Sequence, residues 1–190
     1  MTTTQTTETT AAVLTGEWDI DPKHSRIGFA TKHAMVTTVR GQFTDYTADV
    51  HLDADDPSKT RIHLEIKAAS VDTGNADRDA HLRGGDFFDV DSHPTLVFDA
   101  TSVVTDDDDV YTLIGDLTIN GKTQPVSVDF ELGGTTTDPW GGFRAGFEGR
   151  ATINRRDWGL GWNVALDKGG VLVGEKIKLE FDISAVKRAS

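Results

Sequence analysis

Residues 113–132 read LIGDLTINGKTQPVSVDFEL, two alternating runs joined by Asn120-Gly121. Leu113, Gly115, Leu117 and Ile119 share one parity; Val126, Val128, Phe130 and Leu132 share another, opposed by Ser127, Asp129 and Glu131. A period of two places successive side chains on opposite faces of a strand, so each run has one apolar and one wet face. Asn-Gly accepts the positive φ of a two-residue hairpin turn. The stretch therefore predicts two antiparallel strands folded back on each other.

The same alternation extends in both directions. Ile62, Leu64, Ile66 and Ala68 alternate with His63, Glu65 and Lys67. Phe143, Ala145, Phe147, Gly149, Ala151 and Ile153 form another apolar row, and Ile177, Leu179, Phe181 and Ile183 a third against Lys178, Glu180 and Asp182. Asp106–Asp109 is expected to be a solvated turn, and Gly133-Gly134 with Asp138–Gly142 a longer loop. No internal repeat or second composition regime divides the chain, which predicts one antiparallel domain over residues 16–190. Amphipathic strands must cover one face and protect their edges. With few helices to do so, a sandwich and a closed barrel both remain open.

The chain has 190 residues, a formal net charge of -12 and no cysteine. That acidity disfavours non-specific binding to nucleic acid or anionic lipid, and the absence of thiols removes thiolate catalysis, thiolate metal sites and disulfides. The Thr-rich segment of residues 1–15 has little to bury and is expected to be a disordered tail. It shows neither a positive n-region nor an apolar core, so the expected location is cytoplasmic. No apolar run reaches the roughly 20 residues a membrane-spanning helix needs.

The densest chemistry lies in residues 71–94, VDTGNADRDAHLRGGDFFDVDSHP. Asp77, Asp79, His81 and His93 are the candidates for an acid–base or metal site, and a hydrolase or isomerase built on them is the alternative function. Asn75 as N-cap, acids in the first turn, and Gly84 or Gly85 as a left-handed stop predict instead a helix of about two turns. On it Asp77 and His81 share a side while Asp79 points elsewhere. The favoured reading is a capped, salt-bridged corner. His24-Ser25 imitates a hydrolase pair, but adjacent strand residues face opposite sides. The histidines show no zinc-ligand spacing, and neither cofactor nor metal is expected.

Seven segments in order carry a resemblance: WDIDPKHSRI at 18–27, VRGQF at 39–43, VDTGN with RDAHL at 71–82, DFFDV at 86–90, HPTLVF at 93–98, GDLTING at 115–121 and INRRDWG at 153–159. In order and spacing the chain resembles the bacterial YceI-like family over nearly all of its length beyond the tail. The resemblance implies an all-β, lipocalin-like antiparallel barrel of about eight strands with one short helix. It also implies an apolar interior that binds, transports or stores a polyisoprenoid or isoprenoid quinone, without catalysis. It makes a homodimer an expectation. On that footing the pocket candidates are Phe29, Phe43, Ile66, Phe98, Leu117, Phe147 and Ile153 from apolar strand faces. Leu82, Phe87 and Phe88 are expected to close one end, and Trp158 and Trp162 to line a mouth.

Overall fold

A computed structural model describes residues 13–107 and 110–189. The strands are β1 (Gly16–Ile20), β2 (Arg26–His33), β3 (Thr37–Phe43), β4 (Tyr46–Leu52), β5 (Arg61–Lys67), β6 (Val71–Asp72), β7 (Thr95–Asp107), β8 (Val110–Ile119), β9 (Lys122–Thr137), β10 (Phe143–Asn154) and β11 (Lys176–Lys187). The helix α1 (Ala76–Arg83) lies between β6 and β7. All pairings are antiparallel, and eight strands close a ring in the order β1, β4, β5, β7, β8, β9, β10, β11 and back to β1. Closure leaves no free edge in that ring, which answers the choice between sandwich and barrel.

Two strand pairs bend to fit the ring. β11 pairs with β2 over Lys178–Asp182 and with β1 over Ala185–Lys187, so β1 and β2 run along one edge of β11 in succession. Their corner is pinned by Asp21, whose N–H donates to the Ser184 carbonyl, and by Ser25, whose hydroxyl accepts from Ser184 N–H at 2.9 Å. β3 and β4 bend likewise at Thr44-Asp45, leaving β6 paired to β3 at Gln42 and Phe43.

Several local expectations need correcting. Gly133-Gly134 is not a loop: β9 runs through it, with the register shifting by a bulge opposite Gly146 and Phe147. A glycine at a bulge looks like a turn residue in sequence because both need a backbone without Cβ hindrance; Gly134 indeed has φ 141°. Asp138–Gly142 does form the β9–β10 turn. The acidic turn expected at Asp106–Asp109 falls partly outside the described residues. So do residues 1–12 of the expected tail, but Leu14 is buried and its carbonyl accepts from Trp18 Nε1 at 2.9 Å. Val13–Thr15 thus belong with the packed domain.

α1 is capped as expected at its start, where Asn75 Oδ1 accepts from Arg78 N–H at 2.9 Å. Its end differs. Gly84 is extended, with φ −77° and ψ 177°, and the left-handed residue comes later, at Asp89 with φ 45°. Backbone bonds from Phe88 N–H to Leu82 O and from Val90 N–H to Arg83 O fold the following loop onto the last turn. Arg83 ties this unit to the barrel by donating to the Ala69 and Val71 carbonyls.

Candidate functional site

The alternating rows converge on the barrel axis. Ile62, Leu64 and Ile66 of β5, Leu113 and Leu117 of β8, Val126, Val128 and Phe130 of β9, and Leu179, Phe181 and Ile183 of β11 line a cavity of about 560 Å³. That is within the range of pockets that enclose a small-molecule ligand. One end is bordered by Leu14, Trp18, Leu52, Pro57 and Tyr111, the other by Leu160, Val173 and Ile177. Such a lining, almost wholly hydrocarbon, offers water too few partners and favours an apolar occupant.

Two glycines widen this lumen. Gly41 lies opposite Phe29, and Gly149 lies between Phe130 and Phe181 in register. A Cβ on Gly41 would collide with the Phe29 ring, and one on Gly149 with the Phe130 ring. Without it the rings lie back over the neighbouring strand rather than across the cavity.

Ten of the residues singled out from sequence stand on the cavity wall: Phe29, Phe43, Ile66, Leu82, Phe87, Phe88, Phe98, Leu117, Phe147 and Ile153. Phe88 packs edge-on against Phe43, with centroids 5.7 Å apart, so the α1 unit contributes directly to the wall. Trp158 and Trp162 do not line a mouth. Trp158 is buried in the surrounding core, its Nε1 donating to Leu117 O at 2.8 Å. Trp162 packs edge-to-face against His81 and tilted against Phe87, with centroids 4.6 and 5.4 Å away, outside the cavity wall.

Sequence reasoning missed much of one end. Trp18 is 0 % exposed, packs on Phe143, and lies 5.9 Å beneath the Lys187 ammonium. Val103 and Thr105 reach the cavity because β7 shifts register between Ala100 and Ser102, which turns odd-numbered residues inward beyond Phe98. A bulge breaks the period of two, so alternation could not have found them. Arg155 was missed as well. It is 4 % exposed, lines the cavity, and has its charge disfavoured by burial.

The charged stretch around α1 does not converge. Asp79 is buried and accepts from Thr73 N–H at 2.9 Å and from the Thr73 hydroxyl at 2.6 Å. Arg78 donates to the Thr73 hydroxyl and carbonyl. His81 bonds Asp86 at 2.9 Å, Asp77 is exposed, and the His93 ring packs over Gly121. No group of three His, Asp or Glu among the described residues is placed to hold a metal. Asp79 thus anchors the chain entering α1, as a capped corner requires.

His24 and Ser25 also separate. His24 Nδ1 bonds Asp21 at 2.7 Å, while Ser25 is engaged with Ser184. The His24 hydrogen bond, reinforced by Arg144, holds the Asp21 carboxyl well below the usual carboxylate range. Arg144 also donates to Asp138 at 2.8 Å and holds that carboxyl down. This chain of charges fastens the β9–β10 turn to the β1–β2 corner. No helix among the described residues is long and apolar enough to cross a membrane.

Comparisons with known proteins agree with this geometry. The profile of the YceI-like domain matches residues 18–185. A UPF0312 protein of Pseudomonas paraeruginosa is 39 % identical over 154 residues, covering 80 % of each chain. One from Pectobacterium atrosepticum is 39 % identical over 153 residues, covering 80 % of this chain and 77 % of the relative. Among solved structures, the YCEI protein of Campylobacter jejuni superposes with a TM-score of 0.70 at 28 % identity, over 83 % of this chain and 90 % of that one. BcnA of Burkholderia cenocepacia gives 0.75 at 23 % identity, over 87 % and 99 %. A polyisoprenoid binding domain from Saccharophagus degradans, implicated in plant cell wall breakdown, gives 0.63 at 12 % identity, over 90 % and 98 %.

Proposed function

The chain belongs to the YceI-like family, and from that premise we propose that it binds a long apolar lipid, a polyisoprenoid or isoprenoid quinone, inside the barrel and carries or stores it without chemical change. The observation that carries the reading is the cavity of about 560 Å³, lined by hydrocarbon from the Leu14–Trp18 end to the Val173–Ile177 end apart from a few polar groups, Arg155 among them. The polyisoprenoid binding domain of Saccharophagus degradans, which shares the fold, supports the choice of lipid class.

Each methylene taken from water into such a lumen contributes about 0.8 kcal/mol. A chain of about twenty carbons thereby contributes about 16 kcal/mol, against roughly 4–15 kcal/mol lost in association. Discrimination then follows from length and width, because an apolar wall distinguishes neighbouring chain lengths by only about 1–3 kcal/mol per methylene. The chain lies against hydrocarbon along the length of the lumen, which suits transport or storage of an insoluble molecule.

The test is thermal unfolding with an added isoprenoid quinone bearing a four-unit prenyl chain. At one hundred times its dissociation constant, a ligand bound only by the native state adds about 2.7 kcal/mol. For a domain of this size that raises Tm by about 5–10 °C. An unchanged Tm at saturating quinone, with prenyl phosphates and fatty acids equally inert, would refute the proposal.

A further inference from the structure

The cavity wall carries one buried cation. Arg155 begins the 3₁₀ turn Arg155–Trp158 that follows β10, and only 4 % of it is exposed. Its Nε donates to Gly174 O at 2.9 Å, Nη1 to Leu160 O, and Nη2 to Val173 O at 3.3 Å. All three acceptors are neutral carbonyls. No described carboxylate forms an ion pair with it, and Glu175, next in the same segment, is taken by Arg156 at 2.6 Å. A guanidinium has five N–H donors, so one on each Nη remains. Glu175 acts on Arg155 only from a distance, and a buried charge with no ion-pair partner is costly unless something of opposite polarity meets it.

We propose that Arg155 recognises the head group of the bound lipid, giving its two remaining N–H donors to an oxygen acceptor, a carbonyl or a phosphate oxygen. The proposal rests on the reading of the cavity as a lipid site and adds an orientation to it. The head sits at the Arg155 end, and the hydrocarbon runs toward Leu14 and Trp18. Thr31, which also borders the cavity there, has its hydroxyl committed to the Gly174 and Lys176 carbonyls, so the guanidinium is the donor available at that end.

Three ligands of one chain length separate head from tail: farnesene, which has no oxygen, farnesal, with a carbonyl, and farnesyl phosphate. Hydrogen bonds to a charged group predict that the wild-type protein binds farnesal or farnesyl phosphate about 10- to 100-fold more tightly than farnesene. In Arg155→Met that preference over farnesene disappears, the head contact being the part removed. Because Arg155 also holds the segment from Leu160 to Gly174, a second measurement uses the wild-type protein alone. With 15N-labelled arginine, the Arg155 Nη resonances shift on addition of farnesyl phosphate or farnesal and stay in place with farnesene. A larger effect for the phosphate identifies an anionic head; equal effects identify a carbonyl acceptor as sufficient. Equal affinity of the wild-type protein for all three, or unmoved Nη resonances, overturns the role of Arg155 while leaving the lipid site standing. If none of the three binds, the lipid site itself falls and this role with it.

Discussion

Replacing Ala48 by Phe is expected to raise the stability of the empty protein and weaken lipid binding. Ala48 lies on β4 directly opposite Leu64 of β5, and both residues line the cavity. The added ring therefore points into the lumen rather than into packed core. It closes on the order of 100 Å³ of void, which at about 24 cal/mol per Å³ stabilises the empty state by up to about 2 kcal/mol. In the complex the same ring excludes roughly four methylenes of ligand chain. At about 0.8 kcal/mol each that is about 3 kcal/mol, or a roughly 200-fold rise in Kd. Urea unfolding of the lipid-free protein and a quinone titration followed by tryptophan fluorescence read the two quantities separately. Filling an ordinary close-packed core would be destabilising by about 1–3 kcal/mol. Loss of stability with unchanged lipid affinity would therefore refute the account of the lumen as ligand space.

The other perturbations probe the scaffold. Trp18→Ala removes a side chain that is 0 % exposed and its bond to Leu14 O; it should cost about 3–5 kcal/mol in urea unfolding. Asp79→Ala strands the Thr73 N–H and hydroxyl and should cost about 1–3 kcal/mol. His81→Ala, at a half-exposed hydrogen bond with Asp86, should stay within about 1 kcal/mol, and a reversed order of those two costs would contradict the corner reading. Finally, Asp21 and Asp138 are held below their ordinary value of 3.8 in the fold, by His24 and by Arg144 respectively. A carboxyl depressed by folding stabilises above its unfolded value and loses that contribution as pH falls through its folded one. Tm should thus decline below about pH 4, and Arg144→Met should flatten part of that decline; an unaltered profile in the variant would speak against the network.

The strands were legible because a surface that is wet on one side and apolar on the other writes itself as a period of two. Parity put Leu117, Phe147 and Ile153 on apolar strand faces, and the closed barrel with a pocket inside it followed from the family resemblance rather than from alternation. What escaped the sequence lies where that periodicity is interrupted. The shift between Ala100 and Ser102 swings Val103 inward, and the bulge at Gly133-Gly134 lets β9 continue where a loop was expected. Trp158 was legible as apolar, but its depth depends on a bond to Leu117 O formed across 41 positions of sequence. Arg155 and Arg156 are neighbours of one residue type, yet one is buried among carbonyls and the other pairs with Glu175 at the surface. Only the path of the segment from Leu160 to Gly174 separates them. Charge density misled in the opposite direction: in residues 71–94 the acids are spent on Thr73 and on helix ends, not on a shared target.

The most direct test of the lipid site is native mass spectrometry of the protein purified without organic solvent, before and after extraction with chloroform and methanol. A mass excess of one long-chain lipid per chain is expected, lost on extraction and restored by adding a prenyl quinone. A protein that carries only its own mass, and acquires none when the quinone is supplied, would contradict it.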